Sequence, residues 1–153
     1  MRPIAPAEIP TGMGMGGAAR PAGQRGSTDP AVLAAAVREV REEGDPIIGG
    51  LLVGGADGLV LCAESCGSQV EMLGVMAAVV AGIAGQIVAQ AGVGEARTCL
   101  FEGTSGHVAV FPLHPGMVLV VFGQTEVSTG RFNLAARGVL FRLRDAIAQA
   151  ADK

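Results

Sequence analysis

MLGVMAAVVAGIAGQIVAQAGVG, running from Met72 to Gly94, carries no charge between the acidic residues Glu71 and Glu95. A run of about 18 or more apolar residues is the usual mark of a membrane span. Several features argue against a span here: Gln86 and Gln90, the glycines, and acidic rather than basic flanks. A spanning helix also tends to carry aromatic belts, and this chain has no Trp and no Tyr. The alternative is a helix buried on both sides inside protein. At about 100° per residue, Met72, Met76, Val79, Val80, Ile83 and Ile87 share one sector. Gly74, Ala77, Ala78, Ala81, Ala84, Gly85 and Ala89 fill the opposite one, with Val88 among them. The expectation is that the bulky side packs on a sheet. Small residues in a row let another backbone come close, and in a small protein that neighbour can be the same helix of a second copy. The expected dimer contact is therefore Ala77, Ala78, Ala81, Ala84, Gly85 and Val88.

Working outward, the punctuation on both sides is regular. Asp29-Pro30 offers an N-cap followed by proline at the first helical position. AVLAAAVREVREE then reads as an amphipathic helix to Gly44, with Leu33, Val37 and Val40 at helical spacing. Ile47 to Val53 reads as a strand, Gly54 to Gly58 as a turn, and Leu59 to Ala63 as the returning strand. A polar link, Glu64 to Gln69, enters the uncharged helix. Beyond it come strands at Arg97–Glu102, His107–Leu113 and Met117–Gly123, joined by short turns that imply an antiparallel meander. Ser128 or Thr129 caps a last helix, Gly130 to Ala150, whose apolar stripe is Phe132, Ala136, Val139, Leu140, Leu143 and Ile147. The order is α-β-β-α-β-β-β-α. It predicts an α+β fold: a five-stranded antiparallel sheet with one helix on one face and two on the other.

Residues 1–29 are a different kind of polymer, rich in Pro, Gly and Ala and poor in branched aliphatics. This composition predicts a disordered tail ahead of a domain at residues 30–150. GMGMGG, Gly12 to Gly17, contains a formal G-x-G spacing, but no strand precedes it, as a phosphate-cradling loop requires. The 153 residues fit one domain, half of them hydrophobic but only 3% aromatic. A net charge of -3 argues against nucleic acid, which calls for a basic stripe. Three cysteines with no leader ahead of them predict a reduced, cytoplasmic setting.

Catalytic chemistry is hard to place on these residues. His107 and His114 sit at the two ends of one strand and alternate to opposite faces, which reads as turn-end histidines in solvent. Cys62 and Cys66 are four apart, but a tetrahedral zinc site wants four ligands, and only Cys99 and a distant histidine remain to complete one. Ser65, Ser68 and Ser105 lack a nucleophile motif, and the carboxylates form no paired constellation. The sequence thus offers no catalytic residue, no metal ligands and no cofactor site. A surface is the better candidate: on the last helix, Phe141 falls opposite the core stripe, flanked by Arg137 and Arg144. An aromatic between arginines has the composition of a binding hot spot, unless the first helix lies over it.

The strand-turn-strand GGLLVGGADGLVLCAES, the Ala-rich helix after it and the hairpin GHVAVFPLHPGMVLVVFG together resemble the Roadblock (dynein light chain 7) domain. The Asp57-Gly58 turn and the Thr129-Gly130-Arg131 entry to the last helix match the family's local pattern, and the likeness spans Pro30 to Ala150. The resemblance implies a homodimer in which the central helix and third strand pair across a two-fold axis, making one ten-stranded sheet. It places Cys99 and Phe101 near that axis. Similar domains belong to actinobacterial gene clusters with a sensor-kinase-like membrane protein and a small Ras-like GTPase, and a related one in gliding bacteria stimulates such a GTPase. The implied function is a non-enzymatic, cytoplasmic GTPase regulator that inserts into no membrane. The alternatives are an adaptor or scaffold of the same fold for a sensor-kinase-like or motor-type partner, and a small-ligand sensor.

Overall fold

The computed structural model describes residues 29–123 and 126–151; the expected tail lies outside them apart from Asp29. Helix α1, Pro30–Glu43, starts where the sequence punctuates it: the Asp29 carboxylate accepts the Ala31 N–H at 2.8 Å. Strands β1, Gly50–Gly55, and β2, Val60–Glu64, form a hairpin. Its turn needs Gly58, at φ 89°, and is braced by the Leu59 N–H on the Asp57 carboxylate at 3.1 Å. Helix α2 spans Val70–Ala91 and ends at Gly92 in the left-handed conformation, φ 70°, the usual glycine stop. Strands β3, Cys99–Gly103, β4, Gly106–His114, and β5, Met117–Gly123, form the meander. Helix α3, Thr129–Ala151, closes the fold, with Ser128 Oγ accepting the Arg131 N–H at 3.1 Å.

The five strands make one antiparallel sheet in the order β2-β1-β5-β4-β3. This is the α+β arrangement read from the sequence. Strand alternation then divides the core into two layers. Leu51, Val53, Ala109, Phe111, Leu119 and Val121 face α1 and α3, meeting Leu33, Val37, Phe132, Val139, Leu143 and their neighbours. Leu52, Val110, Val118 and Val120 face α2 and meet Ala77. Two helices therefore cover one face and one covers the other.

Two strands start later than the sequence reading by more than one residue. β1 begins at Gly50 rather than Ile47, because the Asp45 side chain accepts the Ile47 N–H and its carbonyl accepts that of Ile48, holding a turn there. β3 begins at Cys99 rather than Arg97. Its register runs from Cys99 opposite Val110 to Gly103 opposite Gly106, so Phe111 to His114 of β4 extend beyond it and leave a notch in that edge of the sheet.

Candidate functional site

The orientation of α2 reverses the sequence expectation. Much of the small side lies toward the sheet and most of the bulky side faces solvent, with Val80 of the bulky sector packing on the sheet-side core. Ala77 is buried against the protein's own strands, and Ala81 packs on the same cluster. Ala84 and Gly85 line an apolar cavity of about 500 Å³ beneath the helix, together with Cys99, Val110 and Val118. Ala78 and Val88 are half-buried. Meanwhile Met72, Val75, Met76, Val79, Ile83 and Ile87 are 51–61% exposed. The physical reason is how closely the helix sits. A Cβ on Gly74 would come within 2.7 Å of Val60 Cγ2 and 3.2 Å of the Gly58 carbonyl oxygen. At this end of the helix the small residues mark close approach to the sheet of the same chain, whereas a Cβ at Gly85 would meet nothing within 4 Å.

α2 is long and apolar enough to cross a membrane by length and composition, with a window of mean hydropathy 2.1. Its bulky stripe follows the four-three spacing of a helix-pairing seam at Met72, Met76, Val79 and Ile83. Beside it on the same sheet face lies the outer edge of β3. Phe101, 48% exposed, stands opposite Val108, which packs on the α2 side of the sheet. The other sheet edge is blunted. A register shift between Val53 and Gly54 leaves an extra residue in β2, a bulge of the kind that spoils strand addition. β3 has an unbroken register with β4 and carries Leu100 and Phe101 outward. It is the open edge.

A third surface lies on α3. The first helix does not cover Phe141, which is 55% exposed. α1 packs on the other flank, where Arg142 donates to Glu43 at 3.0 Å. Phe141 instead lines a groove of about 990 Å³ between α3 and the α2–β3 loop, rimmed by Arg97, Arg137 and Arg144. Arg137 donates to Thr98 Oγ1 at 3.2 Å, and Arg144 donates to the Pro112 carbonyl at 2.7 Å. Arg97 is the member that sequence reading did not join to the pair. It stands forty residues before Arg137 in the chain, and only the notch beside β4 brings them together.

The polar and sulfur groups elsewhere do not assemble. His107 is buried, only 5% exposed, contrary to the expectation of a solvated turn residue. Its ring stacks on Phe132, centroids 5.0 Å apart, and its Nε2 meets Thr129 Oγ1 at 3.2 Å. The signal was the position: a histidine starting a strand that packs under the entry to α3. His114 lines the cavity under α2, on the opposite face. Cys62 packs on the α1/α3 layer, while Cys66 and Cys99 pack on the α2 layer. Burial, then the Glu64 charge, pushes the Cys62 thiol up to about 11, and burial also raises Cys66. Cys66 Sγ donates to the Leu51 carbonyl at 2.9 Å. Protonated, inward-facing thiols are poor nucleophiles and poor metal ligands. Among the described residues no three His, Cys, Asp or Glu side chains gather as a metal site.

Comparison with known proteins matches this architecture. Residues 41–122 fit the model of the Roadblock/LC7 domain. Among solved structures, MglB of Myxococcus xanthus is 15% identical, covering 80% of this chain and 92% of its own, with a TM-score of 0.65. The gliding protein MglB of Thermus thermophilus is 16% identical over 82% of this chain and 93% of its own, TM-score 0.63. A Roadblock/LC7 domain from Streptomyces avermitilis is 14% identical over 76% of this chain and 92% of its own, TM-score 0.61. No curated protein matches the chain by sequence.

Proposed function

The chain belongs to the Roadblock/LC7 domain family, and from that premise we propose that it is a homodimeric, non-enzymatic regulator that binds a small Ras-like GTPase in the bacterial cytoplasm. The observation that carries this reading is the solvent face of α2. Six apolar side chains, each about half exposed, run along the helix, and monomeric soluble proteins rarely leave contiguous apolar patches of such extent. The open edge of β3 lies on the same side of the molecule through Phe101. Pairing of two β3 edges about a two-fold axis would bring two α2 helices onto one face of a continuous sheet. The composite surface is wide enough for a folded partner, which neither copy offers alone.

Regulation rather than chemistry fits the residues. The chain has no G-x-x-x-x-G-K-[ST] phosphate loop, and its thiols and histidines are dispersed between two core layers. The test is GTP hydrolysis and nucleotide exchange by a small Ras-like GTPase of the same genome, with and without saturating protein. A changed rate with no turnover by the protein alone supports the reading. Binding without any change in rate transfers support to an adaptor, one that links the GTPase or a sensor-kinase-like membrane protein to other components. Absence of binding removes the GTPase reading altogether.

A further inference from the structure

We propose that the notch beside β4 docks an acidic segment of a protein partner, with an apolar side chain of that segment resting on Phe141. The notch exists because β3 stops short of β4. Beyond Cys99 the edge of β4 has no strand neighbour, and its place is taken by the loop before β3 on one side and by α3 on the other. Pro112, which cannot offer an N–H, stands in the gap, and the Arg144 guanidinium caps its carbonyl at 2.7 Å.

Charge decides the class of occupant. Arg97, Arg137 and Arg144 all line the groove, and none forms an ion pair among the described residues. Glu95 is the single carboxylate in the lining. A protein of net charge -3 has thus gathered three of its arginines around one concavity. Arg137 is held by Thr98 and Arg144 by main-chain carbonyls, so both are ordered without being neutralised. Ordering of this kind lowers the entropic cost of a new contact. Guanidinium forks match carboxylates in two-point geometry, and Phe141 between them supplies the apolar anchor.

Spacing argues for a chain segment rather than a single small anion. Arg137 and Arg144 lie seven residues apart on α3, about 10 Å along the axis at 1.5 Å per residue. Each guanidinium keeps its own anchor, Arg137 on Thr98 and Arg144 on the Pro112 carbonyl, so two acidic side chains on one segment can meet both without displacing either. Phe141 sits between them, and Leu140 and Val88 continue the apolar floor. The surface does not depend on the GTPase reading, since it involves the free flank of α3 rather than the stripe on α2.

The experiment selects phage-displayed random dodecapeptides on the immobilised full chain and measures affinity of a synthetic enriched peptide by fluorescence anisotropy. Enriched peptides should carry two or more Asp or Glu around an aromatic or leucine. Affinity of the synthetic peptide should drop tenfold or more on combining Arg137→Glu with Arg144→Glu, and likewise on Phe141→Ala. Arg97→Glu, in a loop outside the helix, should weaken it several-fold even if the α3 variants disturb packing. Arg38→Glu, an exposed residue on α1, should leave it unchanged. Enriched peptides without acidic residues, or equal weakening by Arg38→Glu, would overturn the proposal. So would saturable binding of inorganic phosphate at these arginines with no peptide selected.

Discussion

Ile83→Glu separates the two jobs that α2 is asked to do. Ile83 lies in the middle of the exposed stripe and is 51% exposed, so in a single copy the substitution touches little of the core. Glutamate is a good helix former, and no acidic residue lies within one turn of position 83. The expected change in the stability of one subunit is within about 0.5 kcal/mol. The dimer is another matter. Full burial of a Val, Ile or Met side chain is worth about 1.5–3 kcal/mol, and each of the six stripe residues has about half of that still to gain. Their closure would contribute roughly 5–9 kcal/mol per copy by the same scale. Association itself costs about 4–15 kcal/mol in lost freedom, so the surplus is modest and sensitive to one charge.

A carboxylate closed into that contact without a partner costs several kcal/mol, and symmetry puts two of them in every dimer. A loss of about 4 kcal/mol or more raises the dissociation constant roughly a thousandfold. Sedimentation velocity across the micromolar range should show a dimer for the parent chain and a monomer for Ile83→Glu, with thermal melts by circular dichroism nearly superimposed at monomer concentrations. Ala81→Glu provides the contrast. Ala81 packs on the sheet, so its charge should lower the melting temperature whatever the oligomeric state. If the parent and Ile83→Glu sediment alike, the stripe does not hold two copies together and the surface has another occupant.

Two further outcomes follow from the packing. Gly74→Ala should destabilise by about 1–2 kcal/mol in a denaturant titration, because overpacking costs about 1–3 kcal/mol and its Cβ would stand 2.7 Å from Val60 Cγ2. Gly82→Ala, where a Cβ meets nothing within 4 Å, should instead stabilise by about 0.5–1 kcal/mol; stabilisation at both positions would refute the close approach of α2 to the sheet. Cys62 should resist iodoacetamide at neutral pH in the folded protein and react readily once unfolded. Its folded thiol titrates near 11 against an ordinary 9.0, so the stability tied to the protonated thiol is complete below pH 9 and is lost as pH rises towards 11. A melting temperature unchanged by that rise in the parent, but matching Cys62→Ala throughout, would count against burial as the cause.

The order of elements was legible because each carries its own local punctuation. Asp29-Pro30, the Asp57-Gly58 turn and Ser128 all act within a few residues of their own position, and the structure uses each at the place where the sequence has it. The facing of α2 was not legible, for a reason that lies in the wheel itself. Both sectors are apolar, so hydrophobicity does not say which one meets the sheet, and bulk is a misleading guide. The deciding quantity is the helix-to-sheet distance, and that is set by Gly74 against Val60 and Gly58, a contact between segments more than ten residues apart. The same limit applies to His107, whose burial depends on Phe132 and Thr129 arriving from the next helix. It applies to Arg97, which joins Arg137 and Arg144 only through the unequal lengths of β3 and β4. Phe141 was legible as a surface residue by its angle, and its exposure required only that α1 take the opposite flank.

The reversed helix changes what a composite surface can be. Had the small side faced outward, two α2 helices could have met backbone to backbone, and little apolar surface would have been left for a third protein. With the bulky stripe outward, side chains of Met, Val and Ile supply the contact, and Met in particular adapts its shape to different partners. The sheet edge then becomes the more discriminating element. Strand pairing through β3 fixes register by main-chain hydrogen bonds, while the stripe supplies area without strict geometry. In the proposed regulator the edge would set how two copies align, and any part of the stripe left open by their pairing would offer a deformable apolar face to a folded partner. Phe141, Arg137 and Arg144 of the basic groove belong to neither β3 nor the α2 stripe. In the proposed dimer the groove would therefore stay open to an acidic segment, whichever partner the α2 stripe takes.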